Sequence, residues 1–300
     1  MSVGPLTCMH ASAHYQSVSA MHIQRLFSAS SFLDATCPLR LTALEASNRI
    51  GCLSLLDPSA AWFVLSASET SPIASYAIVS ASRGVRLSPH MDASAARDLA
   101  QHLLTLHDLP DFDSVSGTPE SVQGFALGRG HCTQDDVLYR LGELQPPMET
   151  LGVLALATAE HTALLTAWYV TFVRECFGVD EPEDKALAFI SRGITRQALY
   201  LWVVDGSVVG FGGVAPPVTT DETTVYMLGP IFTAPKARGT GFGKALTAAM
   251  SATLLEARPT PHAIVTLYAD SKNPASNAAY KAIGFVAIER DVTYELRDAP

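Results

Sequence analysis

Three glycines at alternate positions beside three basic residues leave a chain few conformations and one obvious kind of ligand. The stretch Pro235-Lys236-Ala237-Arg238-Gly239-Thr240-Gly241-Phe242-Gly243-Lys244-Ala245-Leu246 follows an apolar run and leads into an Ala/Leu-rich one. It reads as a strand end turning into a helix. Gly239, Gly241 and Gly243 leave the backbone bare, so successive N–H groups can close on an anion, and the start of the helix adds its positive end. Lys236, Arg238 and Lys244 crowd this turn, and no Asp or Glu occurs between Glu222 and Glu256, although the formal net charge is -9. A local positive pocket in an acidic protein points to a polyphosphate ligand.

Two familiar phosphate loops do not fit. A Walker loop needs a hydroxyl residue after Gly243-Lys244, and Ala245 stands there; a dinucleotide fingerprint needs glycine where Lys244 stands. What remains is Arg-x-x-Gly-x-Gly, Arg238 to Gly243. Downstream, the apolar run Ile264 to Asp270 is followed by Asn273-Pro274-Ala275-Ser276-Asn277-Ala278-Ala279-Tyr280-Lys281-Ala282-Ile283-Gly284-Phe285. In that segment Asn273 suits a helix cap, Pro274 its first position, and Gly284 the left-handed turn that stops it.

Together these two segments resemble the core motifs of the Gcn5-related N-acetyltransferase (GNAT) superfamily. The resemblance implies a mixed α/β fold: a central mixed sheet with two splayed strands flanked by helices, here preceded by a smaller α/β domain. It further implies acetyl-coenzyme A as the acyl donor. The donor's pyrophosphate would lie on Arg238, Gly239, Thr240, Gly241, Phe242, Gly243 and Lys244, with Asn273, Ser276 and Tyr280 beside it. Gly229-Pro230 interrupts the strand Thr223 to Phe232, as expected of a bulge. The family opens its strands at such a break, which would leave Ile231, Phe232 and Thr233 to hydrogen-bond the pantetheine arm. By the same resemblance Tyr280 is the general acid for the departing thiolate. Glu222 is the leading candidate base, with Tyr226 and Asp270 as others. Trp168, Phe172 and Glu175, on a helix expected from Thr158 to about Phe177, would line the acceptor site.

The remaining chain sets the frame. Its 300 residues, 48% hydrophobic and 16% charged, are enough for two buried cores. We divide them into a flexible leader (1–31), an N-terminal α/β domain (32–145) and an acetyltransferase domain (146–300), with the boundary at Gln145-Pro146-Pro147-Met148. The N-terminal domain is either a worn copy of the second, lacking the glycine turn, or an unrelated cap. The leader has no Asp or Glu and only Arg25 as a strong base. That suits a disordered segment better than a mitochondrial transit segment. No apolar run is long enough for a membrane span. Five cysteines without Cys-x-x-Cys spacing argue for reduced thiols and a cytoplasmic location. Neither a metal site nor a nucleic-acid face is expected. The reading is therefore an acetyl-coenzyme A-dependent transfer to the amine of a small molecule or peptide, by direct attack. The alternative is an acyl-coenzyme A sensor without turnover.

Overall fold

Short alternating strand patterns and amphipathic helices follow one another in the same order twice. The computed structural model describes residues 20–57, 59–145, 147 and 150–296. The first half contains β1 (His22–Leu26), α1 (Ala29–Thr42), α2 (Leu44–Leu56), β2 (Ala61–Ser66), β3 (Ile73–Ser80), β4 (Gly84–Leu87), α3 (Ala93–Leu103), β5 (Ser114–Gly117), α4 (Pro119–Ala126) and β6 (His131–Leu141). The second half contains β7 (Val153–Leu156), α5 (Thr162–Phe177), α6 (Glu183–Thr195), β8 (Leu199–Val204), β9 (Ser207–Val214), β10 (Val218–Thr219), β11 (Thr223–Thr233), α7 (Phe242–Glu256), β12 (His262–Asp270), α8 (Pro274–Ala282) and β13 (Phe285–Glu295). Apart from β10, the second list repeats the first element for element.

All the strands join one mixed sheet in the order β1-β2-β3-β4-β5-β13-β6-β12-β11-β9-β8-β7, with β10 against β11. The last strands of the two halves are exchanged. β6 lies between β12 and β13, while β13 reaches back to pair with β5. Each of these two strands has 11 residues, which is long enough to serve both halves of the sheet. The exchange carries residues of the first half into the middle of the second.

Alternation along the strands sorts the two faces of the second half. Val265, Leu267, Tyr139, Tyr226 and Leu228 join Leu246 and Met250 of α7 in one core. On the other face, Leu165 of α5 and Ile190 of α6 pack on Leu199, Leu201, Phe211 and Phe232. Beyond them this second face is covered by α2 of the first half: the Arg49 guanidinium stands 5.0 Å from the centre of the Tyr268 ring, and Glu45 pairs with Arg140 at 2.5 Å.

Several boundaries differ from the sequence reading. The stretch expected to be flexible up to residue 31 instead supplies β1 and the start of α1. Ile23 packs on the first core, Arg25 pairs with Asp108 at 2.7 Å, and the Met21 amide donates to Asp98. Residues 1–19, and Pro146 and Met148 at the proposed boundary, lie outside the described residues. The helix expected over Leu39 to Leu56 is two helices, α1 and α2. The last strand, expected at Asp291 to Leu296, begins at Phe285 because its first part pairs with β6.

Candidate active site

β11 and β12 run parallel in register from Thr223↔His262 to Leu228↔Leu267, and there they separate. The cause is visible in β11: a register shift at Gly229 and Pro230 turns its last residues away, so that Ile231, Phe232 and Thr233 pair only with Gly212, Phe211 and Gly210 of β9. β12 meanwhile continues to Asp270 against β6. One edge of Ile231 to Thr233 therefore faces a gap rather than a strand. Extended backbone with an unpaired edge is a ready partner for an amide-bearing chain.

The glycine turn closes one end of that gap. Gly239 and Gly241 have φ of 78° and 85°, which only glycine adopts without strain. Gly243 sits close to β11: a Cβ there would stand 2.9 Å from Thr233 Oγ1 and would make that side chain shift. The Thr240 hydroxyl donates to the Ala237 carbonyl at 2.7 Å and pins the turn. Gly241 caps α7 without a side chain, and among the described residues the amides from Gly239 to Lys244 find no protein acceptor. This bare helix start matches what a pyrophosphate requires. Arg238 is held elsewhere. Its Nε donates to the Thr233 carbonyl (3.1 Å), its Nη2 pairs with Glu175 (2.7 Å), and its guanidinium lies over Phe232. Arg238 thus shapes the turn, and the groups left free there are backbone amides.

Tyr280 lies where the strands part. It is buried between Tyr139, the cross-strand partner of Leu267, and Phe285. Burial and the nearby Cys176 push its phenol up to about 12, against a hydrogen bond with Ser276, so the group is a protonated donor at neutral pH. Asn273 accepts from the Ser276 amide and caps α8, which occupies its side-chain carbonyl. Asn277 was not foreseen. It accepts from the Tyr139 hydroxyl and donates to the carbonyls of Asp270 and Asn273, locking α8 to β6 and β12.

The residues expected on the acceptor side all make contacts within the protein. The Trp168 ring is committed to packing on Phe211 and Phe232, and Phe172 stacks with Tyr169; both support the wall from behind. Glu175 is engaged by Arg238. Glu222 precedes β11 at the end away from the gap, six residues from Leu228, or roughly 20 Å at about 3.3 Å per residue. It is exposed there and cannot act as the base. Tyr226 is buried on the α7 face, where it borders a cavity of about 190 Å³ shared with Tyr200, Pro216 and Leu254, again towards the far end of β11. Asp270 does reach the gap, at the end of β12.

Two groups at the gap went unread in the sequence. Cys176 of α5 is pushed up to about 11 by partial burial and then by Glu175, Asp136 and Asp270. Asp136 of β6 is the cross-strand partner of both Asp270 and Asp291. Beneath it lies a buried ionic group in which Arg86 grips Asp291 through both nitrogens and Arg49 approaches the same carboxylate at 3.8 Å. Burial works against both charges, but Asp291 keeps Arg86 firmly protonated. No sequence spacing signals this group, because its members come from α2, β4, β6 and β13.

Parted parallel strands, a bare glycine turn and a buried tyrosine at the fork define the class by its fold, that of the GNAT acetyltransferases. The family model of the acetyltransferase (GNAT) family matches residues 164–285, so the second half carries a GNAT domain. Solved structures with the same fold span nearly the whole chain. A GNAT-family acetyltransferase from Colwellia psychrerythraea covers 92% of this chain and 100% of its own, at 15% identity and TM-score 0.56. A GCN5-related N-acetyltransferase from Sphaerobacter thermophilus covers 92% and 95%, at 16% and 0.57. A tandem GNAT protein from the clavulanic acid biosynthesis pathway covers 93% and 99%, at 13% and 0.55. No curated protein matches the sequence significantly.

Proposed function

We propose that this protein is an N-acetyltransferase that moves an acetyl group from acetyl-coenzyme A to an amine by direct attack within a ternary complex. The observation that carries the reading is the pairing of an unpaired β11 edge, Ile231 to Thr233, with the uncapped amides of Gly239 to Lys244 at the end of the same gap. Acetyl-coenzyme A would supply an activated thioester, and these residues would hold it.

In this reading the amides from Gly239 to Lys244 bind the pyrophosphate, with Lys236 and Lys244 adding positive charge, and Arg238 holds the turn in shape through Thr233 and Glu175. The β11 edge fixes the direction of the pantetheine arm. Tyr280 donates its proton to the leaving sulfur. Positioning of two reactants contributes about 7–11 kcal/mol to such a reaction, more than the roughly 3–5 kcal/mol typical of one acid or base. The geometry of the gap therefore matters more than any single proton donor. The acceptor amine would enter on the face between α5 and α2, whose carboxylates Asp136 and Asp270 favour a cationic molecule.

Thiol release during incubation with acetyl-coenzyme A and a panel of amines tests the proposal. Turnover on at least one amine is the expected result. Cofactor binding by calorimetry with no turnover on any amine would instead favour a sensor, and no binding at all would overturn both readings.

A further inference from the structure

An amine is an ammonium ion near neutral pH, so one group in the site must take a proton before attack. Glu222 is too far away, Tyr280 is a proton donor, and Glu175 is held by Arg238. We propose that Asp136, brought into the second half by the exchanged strand β6, is the general base that deprotonates the acceptor amine; this rests on the acetyltransferase reading above.

Asp136 is the register partner of Asp270, where β12 runs past the point at which β11 has turned away. Its side chain shares the sheet face of Asp270 and Asp291, the face on which α5 and α2 stand. Cys176 on α5 feels Asp136 and Asp270 together, and Tyr280 in turn feels Cys176. The register places Asp136 and Asp270 side by side where β12 runs on past β11, with Cys176 of α5 close enough to feel both.

The bonding of Asp136 differs from that of its neighbour. Both buried arginines turn to Asp291, and neither makes an ion pair with Asp136. Oδ2 of Asp136 accepts from Gln134 Nε2 at 2.8 Å, whereas Oδ1 has no hydrogen-bond partner among the described residues, although the residue is only 6% exposed. Oδ1 is not among the fully buried unpartnered atoms, so this one oxygen keeps contact with solvent and is free to accept a proton.

The charged and titratable groups facing Asp136 are Arg49 from α2, Asp270 from β12, Asp291 from β13, Arg86 from β4 and Cys176 from α5. Burial raises its carboxyl to about 6, with Arg49 and Gln134 opposing and Asp291 and Asp270 adding to the rise. Such a group is ionised at neutral pH and more basic than an ordinary aspartate, as a general base should be.

The protons balance as follows. The ammonium gives one proton to Asp136 Oδ1, by direct hydrogen bond or through one water, and Asp136 later releases it to solvent. The freed amine nitrogen bonds to the thioester carbonyl carbon and the C–S bond breaks. Tyr280 protonates the departing sulfur and recovers a proton from the second N–H of the new amide. No oxidant or further reactant is needed.

The test is the pH profile of kcat/KM for Asp136→Asn, from pH 5 to 9, with acetyl-coenzyme A and whichever of spermidine, lysine or a dipeptide the wild type turns over. The wild type should show a limb near 6, separate from the limb near about 10 that an alkyl amine itself gives. Asp136→Asn should lose the lower limb and about 10²-fold or more in kcat/KM at pH 7.5, with coenzyme A binding by calorimetry unchanged. Asp136→Glu should recover part of the rate and shift the limb. An Asn variant within about threefold of wild type would overturn the proposal, as would one that is slow but keeps the limb near 6. If Asp136→Asn fails to bind coenzyme A, the Glu variant decides by its limb position, an unshifted limb overturning the assignment. Failure of the wild type to turn over any amine overturns the acetyltransferase reading itself, and the base with it.

Discussion

The two halves of the chain share one order of elements, yet among the described residues only the second joins a bare helix start to parted strands. α3 and α7 occupy equivalent places, but α3 begins at Asp92, whose carboxylate accepts from the Ala95 amide at 2.8 Å, while α7 begins at a bare glycine. A carboxylate already sits where an anion would go. β4 and β5 pair at Val85↔Val115 and Arg86↔Ser116 and stay together beyond: a Cβ on Gly117 would stand 3.0 Å from Leu87 Cβ. Six residues after the first-turn proline, α8 has Tyr280 and α4 has Phe125, both buried. The first half thus lacks the cradle, the gap and the proton donor together. What it contributes is β6 and α2, placed against the second half. Loss of a site need not mean loss of a role in that site.

The largest expected effect comes from making the second half more like the first at its proton donor. Tyr280→Phe should lower kcat by about 10²–10⁴-fold while leaving coenzyme A affinity unchanged, as read by steady-state thiol release and calorimetry. An unchanged kcat would mean that the Phe125/Tyr280 difference is only a packing variant. Next, Gly241→Asp installs the first half's cap in the second. It should weaken coenzyme A binding about 100-fold, or roughly 2.7 kcal/mol, whereas Gly241→Asn, equally tolerant of positive φ but uncharged, should weaken it much less. Equal affinities for the two variants would show that the helix start does not bind the anion.

Much of this was legible in the sequence because it is local. The glycine turn, the Asn273-Pro274 cap and the Gly284 stop each depend on residues within one turn of one another, so chemistry and position arrive together. Glu222 was misjudged because distance along a strand was not weighed against where β11 leaves β12. Trp168 and Phe172 are partly buried against the apolar face of the sheet, a packing that their spacing on one helical face already implied. Asp136, Asn277 and the Arg49-Arg86-Asp291 group could not be read at all. Their meaning depends on an exchange of strands between segments more than a hundred residues apart, and no local pattern encodes that pairing.

Asp136 offers a third test of how the halves differ, since a group retained for chemistry commonly lowers stability. Burial lifts its carboxyl to about 6 in the folded state, above the ordinary aspartate range. The protonated form is therefore favoured by folding. That contribution is fully present below about pH 4 and is lost as pH rises through about 6. Above that range the buried charge costs about 3 kcal/mol, the opposing pull of Arg49 already included. Asp136→Asn should accordingly raise Tm by a few degrees at pH 8 and change it little at pH 4. A lowered Tm at pH 8 would mean that the carboxylate stabilises the shared sheet.

The smallest effect is expected in the first half, from Asp92→Ala. Removing the side-chain acceptor leaves the Ala95 amide uncapped and should cost about 1 kcal/mol of stability, seen as a small fall in Tm. It should not create a second coenzyme A site, because β4 and β5 pair at Val85↔Val115 and Arg86↔Ser116 and are still close at Gly117 and Leu87. Calorimetry should still give a single binding event per chain. A second event would show that the cap alone had closed an otherwise complete site, and that the unparted strands are not what separates the two halves.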